Sequence, residues 1–386
     1  MPYPPNRGGR ADIWRRILAF RALGHEVLLV NVQEDAANRG PTPQELAFVD
    51  GVVTSRFSFG IRRGWLITVR QLANAWAVPW HAATRVPTGE AATALDAEIA
   101  RFKPDFLWLD GPWFGVVGCR IAKRLGVPIL YRSHNIEHHY IRSQARVAVR
   151  LRDRIAWTLA TIGLQRFESG ILQQAARVFD ISVDDLEYWK ARGIAQLHWL
   201  PPLPELAFSG PQEPAIPGDI VFVGNLGTPN NVRGVAWLVS EVMPKVRAQL
   251  PAAGCRIVGS NPTPFLRQLL QANPQVELCA NVASAPPYLF GARVLVNPVM
   301  TGSGVQVKML DMLMTDAPIV TCTQGTRGLP ADLRAQFRVA DDAAAFAAAI
   351  CEELRQPSVN AKARAVARKA FSISAVGEAL DIAMHQ

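Results

Sequence analysis

Two hydrophobic patterns alternate along the 386-residue chain. Short runs of consecutive apolar residues read as buried strands, and the segments between them carry apolar residues at three- and four-residue spacing and read as helices. In the first half, strands are predicted at Glu26–Val32, Asp105–Asp110, Pro128–Arg132, Arg177–Ser182 and Leu197–Leu200. Helices are predicted at Ala11–Leu23, Ala91–Phe102, Trp113–Leu125 and Val183–Arg192, with one long helical region ending near Ala176. Arg56–Thr84, basic and aromatic, reads as a loop and a helix. Pro201–Gly218 holds six prolines and two glycines, the composition of a linker. Beyond it, strands at Ile220–Val223, Cys255–Val258, Val276–Leu278, Val294–Val296 and Ile319–Thr321 alternate with helices at Asn230–Leu250, Thr263–Ala272, Ala285–Phe290, Val305–Met314 and Asp341–Arg355. Two more helices follow. Such alternation predicts parallel sheets.

The expected organisation is therefore an α/β domain over 1–200, a hinge over 201–218, a second α/β domain over 219–360, and helices over 361–386 that cross back to the first domain. A ligand cleft is expected between the domains. Pro4–Arg10 is expected to form a turn, with Gly8 and Gly9 in the loop that enters the first helix. In a doubly wound fold a strand precedes such a loop. Here the chain starts at the loop, so the first strand of the N-terminal domain is expected to be missing.

One stretch carries the clearest chemistry. Val294–Thr321 reads strand, glycine loop, helix, strand, with Thr301-Gly302-Ser303-Gly304 as the loop. Glycine lets backbone approach a ligand closely, and a helix start offers N–H groups and the positive end of a dipole to an anion. Val305, Met309 and Met312 share one face of the helix, leaving Lys308 and Asp311 on another. Lys308 adds a cation for phosphate, and Asp311 can accept from hydroxyls. His134, Asn135 and Glu137 lie at the carboxyl end of a strand, where open α/β sheets bind ligands. Asn135 is also placed to cap the following helix.

Composition narrows the classes. Hydrophobic residues are 49% and charged residues 19%, which excludes a disordered chain. The longest uncharged apolar stretch, Gln71–Thr84, is too short to span a bilayer, and Met1-Pro2-Tyr3-Pro4 shows no signal-peptide pattern, so a cytoplasmic location is expected. Five separated cysteines without a CxxC pair predict reduced thiols rather than a zinc site. Residues 1–200 hold 26 basic and 18 acidic residues, a net +8, while the remainder holds 15 and 14, a net +1. Arg142, Arg146, Arg150 and Arg154 recur every four residues and predict one basic helix face. An anionic membrane surface on the inner side of the cell membrane is the expected partner of that face. No nucleic-acid-binding motif is present.

The segments VFVGNLGTPNNVRGVAWLVSEVMPKV, CRIVGSNP, VELCANV, VLVNPVMTGSGVQVKMLDML and PIVTCTQGTRGL resemble the nucleotide-sugar-binding half of retaining glycosyltransferases with the two-domain GT-B fold. The similarity is greatest to the family-four type, glycosyl transferases group 1, in its GSGV-loop subset. PYPPNRGGRADIWRRILAFRALGHEVLLV and YRSHNIEHHY resemble its acceptor-side half. The resemblance implies two Rossmann-like domains and a metal-independent hexosyl transfer from a UDP- or GDP-linked sugar. The acceptor would be a glycan or a lipid-linked glycan, in bacterial surface polysaccharide or glycolipid synthesis.

By residue, the resemblance places Gly8, Gly9, Arg233, Gly302, Ser303, Gly304 and Lys308 at the donor diphosphate and Asp311 at the ribose. It places Gly259, Ser260, Asn281 and Val282 around the nucleobase, His134 near the reacting carbon, and Asn135 and Glu137 on the acceptor side. Ser303 and Asp311 stand where the family usually has two glutamates, and Asn225 where it has an arginine. No Asp-x-Asp triplet occurs, so no metal or other cofactor is expected. Two other readings remain: an epimerase of the same fold, and a non-catalytic sugar-nucleotide-binding partner of a polysaccharide complex.

Overall fold

A computed structural model describes residues 1–4, 8–33, 41–61, 74–148, 150–208, 214–302, 304–359 and 361–385. The chain divides into two compact units: Met1–Pro201 with Ile373–Gln386, and Pro202–Ser372. Ser303, Arg62, Arg63 and Trp65 lie outside the described residues.

Unit 2 is a doubly wound sheet. Strands β7 (Gly218–Val223), β8 (Cys255–Gly259), β9 (Val276–Ala280), β10 (Ala292–Asn297), β11 (Ile319–Thr321) and β12 (Phe337–Val339) form one parallel sheet in the order β12-β11-β10-β7-β8-β9. The order reverses between β7 and β10, which creates a crevice at their carboxyl ends. Ile220, Phe222, Ile257, Val294, Val296 and Val320 are fully buried against Val235, Val242, Phe346 and Ile350, so these strands read as apolar runs. The helix expected over Asn230–Leu250 contains a wide turn. α9 (Pro229–Trp237) passes through a π-helical turn, Leu238–Val242, before α10 (Met243–Gln249). Pro244 has no N–H and its ring would strike the carbonyl four residues back; the wide turn absorbs this.

Unit 1 holds two parallel sheets. β1 (Leu28–Gln33) pairs with β2 (Ser55–Gly60), and β3 (Leu107–Asp110), β4 (Ile129–Ser133), β5 (Arg177–Asp180) and β6 (Leu197–Trp199) pair in that order. Among the described residues β1 and β3 share no ladder; Leu28, Val30 and Leu107 meet instead through side chains around Leu95, Ile99, Val117 and Ile121. The break falls where the central strand of a doubly wound sheet would stand.

Several expectations change. β2 occupies part of the segment read as loop and helix, because its Phe57 and Phe59 alternate with polar residues on a half-buried sheet. The first helix, α1, runs Gly8–Ala22, so Gly8 and Gly9 are its first turn and not a loop ahead of it. The long helical region is three helices, α5 (Glu137–Val147), α6 (Leu151–Ala160) and α7 (Leu164–Gln174). α5 and α6 fold back on each other. Arg142 and Arg146 therefore lie on α5, Arg150 stands at the position before α6 without a side-chain capping bond, Arg154 lies within α6, and the four do not share one helix face. Of the helices after residue 360, α14 (Ala361–Ala370) belongs to unit 2. α15 (Ile373–His385) belongs to unit 1, where Gly377 packs against Leu23, the residue after α1.

The unit 2 core should be intolerant of cavities. Phe346 is fully buried and packs edge-on against Trp237, ring centres 5.3 Å apart. Phe346→Ala is expected to destabilise unit 2 by about 3–5 kcal/mol, read as a fall in its urea midpoint at unchanged slope.

Candidate functional site

In unit 2 the site grows from the crevice between β7 and β10. After β7 the chain turns through Gly224–Thr228 into α9. Asn225 Oδ1 accepts from the Gly227 N–H at 2.9 Å, and Thr228 Oγ donates to the Asn225 carbonyl at 2.7 Å. Asn231 Nδ2 also donates to that carbonyl, at 2.9 Å, while Asn231 Oδ1 accepts from Lys308 Nζ at 2.9 Å. One asparagine thus ties the loop after β7 to the lysine of α12 (Val307–Leu313). The Lys308 ammonium also sits 4.5 Å from the centre of the Phe222 ring. Burial pushes its pKa down to about 7, so the free site holds a lysine poised between charged and neutral.

The loop after β10 lies against the same helix start. Arg233 donates to Asn230 Oδ1 at 2.6 Å and to Thr301 Oγ at 3.1 Å. A Cβ on Gly234 would come within 2.8 Å of the Pro298 carbonyl, so glycine there lets α9 approach this loop. Gly304 adopts a left-handed φ of +68°. Asn297, fully buried at the end of β10, donates to Gln306 Oε1 at 3.1 Å, while among the described residues neither its Oδ1 nor the buried Gln324 Nε2 has a partner. Unsatisfied buried polar atoms call for a ligand or water.

On the other side of β7, Gly259 ends β8. A Cβ there would stand 1.8 Å from the Gly224 carbonyl, so the two βα turns touch only because this residue is glycine. The Ser260 carbonyl accepts from the Leu226 N–H at 2.7 Å, and Asn281, at φ +53°, accepts from the Asn261 N–H at 2.9 Å. Ser260 and Asn281 are exposed and Val282 is partly so. Asp311 Oδ1 accepts from the Glu205 N–H at 2.8 Å, which anchors the proline-rich segment to α12.

Unit 1 carries a second polar cluster. His134, at the carboxyl end of β4, has Nδ1 3.1 Å from Asp12 Oδ2 and Nε2 3.2 Å from Asp110 Oδ1. With a carboxylate on each nitrogen both must donate, which makes the ring an imidazolium. Burial opposes this charge, but the two carboxylates overcome it and raise the pKa to about 9. Asp12 also pairs with Arg132 at 2.9 Å and stands 3.8 Å from Arg16. Despite its burial, these cations hold the Asp12 carboxyl far below the usual range. Arg16 donates to the Pro201 carbonyl at 2.9 Å, and Arg132 donates to the Leu200 carbonyl.

The start of α5 is held by a distant carboxylate. Buried Glu168 accepts from the N–H groups of Glu137 (2.9 Å) and His138 (3.3 Å) and from His138 Nδ1 (2.6 Å). Glu168 therefore does the capping expected of Asn135, whose carbonyl accepts only from Ser133 Oγ among the bonds described. Burial first, then the Glu168 charge, raise the Glu137 carboxyl to about 7. His138 Nε2 lies 2.8 Å from the Tyr188 hydroxyl. Among the described residues no group of three or more His, Cys, Asp or Glu could hold a metal ion.

The structure brings Arg233, Gly302, Gly304 and Lys308 around the start of α9, with Asp311 one turn along α12. Gly259, Ser260, Asn281 and Val282 lie at the neighbouring strand ends. Gly8 and Gly9, His134, Asn135 and Glu137 lie in unit 1; Gly9 is exposed, and an added Cβ there meets nothing within 4 Å. Sequence reasoning missed Asn230, Asn231, Asp12, Asp110 and Glu168. Asp12 follows the Gly8-Gly9 pair by one helical turn and Asp110 ends a strand ahead of Gly111. Both positions were readable signals.

The imidazolium has a pH consequence. A histidine whose folded pKa lies above 6.5 contributes stability that is complete below about pH 6.5 and is lost as pH rises through about 9. Ionisation of Glu137 through about pH 7 acts in the same direction. The melting temperature of unit 1 should fall across that range. The His134 ring resonances should titrate near pH 9, and in Asp110→Asn they should titrate at clearly lower pH. An unshifted titration in Asp110→Asn would count against the pairing.

Residues 217–356 match the sequence profile of the family described as Glycosyl transferases group 1. A protein from Klebsiella pneumoniae, described as an uncharacterized 44.6 kDa protein in the cps region, is 23% identical over 359 residues, covering 90% of this chain and 87% of that protein. The sucrose-phosphate synthase of Thermosynechococcus elongatus superposes with a TM-score of 0.59 at 15% identity, covering 97% of this chain and 92% of its own. Anabaena HepE, solved in complex with UDP, superposes with a TM-score of 0.56 at 13% identity, covering 92% and 98%. Residues 217–356 of unit 2 thus resemble a group 1 glycosyltransferase domain, and the two parallel α/β units share the GT-B fold of the solved structures.

Proposed function

We propose that the chain transfers a hexose from a UDP- or GDP-linked donor to a glycan or lipid-linked acceptor, with retention at the anomeric carbon and without a metal, in bacterial surface polysaccharide or glycolipid synthesis. The carrying observation is the Asn231–Lys308 link beside Arg233 and the Thr301–Gly304 loop. A nucleoside diphosphate leaving group gains negative charge as the glycosidic bond breaks. Fixed cations and dipoles aimed at it stabilise that charge without reorganising. Lys308 and Arg233 supply the cations, and the backbone about Gly302 and Gly304 supplies close approach. In this reading Asp311 takes the ribose, and Gly259, Ser260, Asn281 and Val282 border the base.

His134 contributes as a cation. Clamped between two carboxylates, it holds no free lone pair for a general base, and it would favour a negative or hydroxyl-bearing donor group near the reacting carbon. Glu137, with its raised pKa, is the carboxyl suited to proton exchange with an acceptor hydroxyl. The cps-region relative supports the polysaccharide setting. For a lipid-linked acceptor, the basic α5–α6 hairpin would face an anionic membrane on its cytoplasmic side.

A thermal-shift screen against UDP, GDP, ADP and their hexose conjugates tests the donor site. A ligand at a hundredfold excess over Kd stabilises by about 2.7 kcal/mol. One nucleotide series should raise the melting temperature, and Lys308→Ala should weaken its binding roughly tenfold to a hundredfold, as loss of a charged hydrogen bond implies. Because the free lysine is poised near pH 7, nucleotide binding at pH 8 should take up protons. Calorimetry in buffers of different ionisation enthalpy reads this directly, and uptake should vanish in Lys308→Ala. NMR of the product then reads the anomeric configuration. Binding without turnover on any acceptor would favour the non-catalytic partner instead.

A further inference from the structure

The α5–α6 hairpin of unit 1 carries an apolar ridge that the arginine pattern alone did not reveal. On α6, Leu151, Ile155 and Leu159, followed by Ile162, are 71%, 52%, 46% and 37% exposed. At roughly 100° per residue these four fall within an arc of roughly 80°. The face of α6 turned into unit 1 carries Trp157 and Ala160, on the opposite side of the helix. The ridge therefore points straight outward. Trp76, 70% exposed, continues it: an added Cβ on Gly163 would lie 2.5 Å from the Trp76 carbonyl, which places that tryptophan's backbone directly against the end of the ridge.

Arginines flank the ridge on both sides. Arg142 and Arg146 on α5, Arg150 and Arg152 at the start of α6, Arg154 within it and Arg166 on α7 are all exposed. The acidic group among them on α6, Asp153, is paired with Arg152 at 3.8 Å. Beside Trp76, a cavity of about 370 Å³ is lined by Arg142, Arg166 and Gly163, among others. No described helix is long and apolar enough to cross a membrane. An outward apolar ridge bordered by arginines, with a tryptophan at one end, is the pattern of a helix lying in a membrane interface.

We propose that α6 docks unit 1 on an anionic bilayer, with Leu151, Ile155, Leu159, Ile162 and Trp76 entering the headgroup boundary and the Arg142–Arg166 cavity taking a lipid phosphate. This deepens the membrane reading given above, but it rests on exposure and charge and not on the donor site. Charge complementarity selects the occupant: a second copy of this strongly basic surface would meet like charge, whereas an anionic leaflet meets opposite charge and accepts apolar side chains.

The test is co-sedimentation of the full chain with vesicles of phosphatidylcholine alone or with phosphatidylglycerol, containing no glycan, so that failure of the transferase reading leaves it intact. The wild-type protein should partition at least tenfold better onto the anionic vesicles. The double variant Ile155→Asp/Leu159→Asp should lose at least tenfold of that partition while keeping its melting temperature, because both side chains are exposed. Arg142→Gln/Arg166→Gln should also weaken binding. Ridge variants that bind as well as wild type, or wild type that binds neither vesicle, would overturn the proposal. So would a wild-type dimer that the ridge substitutions convert to a monomer, since the ridge would then belong to a second copy.

Discussion

Two guanidinium groups, those of Arg16 and Arg132, lie almost wholly inside unit 1, and the Asp12 carboxylate stands between them and His134. Buried charge is tolerable only when paired and hydrogen-bonded. Asp12 therefore fixes α1 against the end of β4. Through Arg16 and Arg132 the same cluster grips the carbonyls of Leu200 and Pro201, where the first segment of unit 1 ends. The histidine is thus positioned by the charge balance of the unit core, and its own charge is part of that balance. A neutral ring at 134 could donate to only one of its two carboxylates.

Unit 2 solves a different problem. Its site needs two βα turns and one loop to converge at a single strand reversal. Glycines at 234 and 259 permit backbone approaches that any side chain would block. Asn231 then sets the distance between the two sides of the crevice. The cost is a lysine with little water around it, which a polyanionic ligand would relieve. Rigidity of the turns and discomfort of the lysine are two aspects of one arrangement.

The strands of unit 2 were legible because they are buried on both faces and so appear as unbroken apolar runs. β2 and β12 were not. β2 alternates Phe with polar residues and ends in glycine, and β12 is three residues long with two exposed. α2 (Pro43–Val52) had a readable start, since Thr42 and Glu45 form a capping box. The glycine loop and Lys308 were legible as a motif, as were the strand-end positions of His134 and Glu137. Their partners were not, because Asn231 meets Lys308 across 77 residues and Asp12 meets Arg132 across 120. The arginine repeat misled because periodicity assumes an unbroken helix. The break near Ala148 carries no glycine or proline, and it follows from α6 folding back on α5.

Unit 1 is assembled from both ends of the sequence, since α15 packs beside α1. On a ribosome, α1 is made before unit 2, yet the helix that covers Leu23 is made after it. Unit 2 can close its own sheet in the interval, since all six of its strands are contiguous in the chain. Unit 1 must wait with apolar surface uncovered on its first helix, a state open to chaperones and to mispairing. The order of synthesis thus places completion of unit 1 after unit 2, and a chain cut short before Ile373 would leave unit 1 lacking one of its own packing elements.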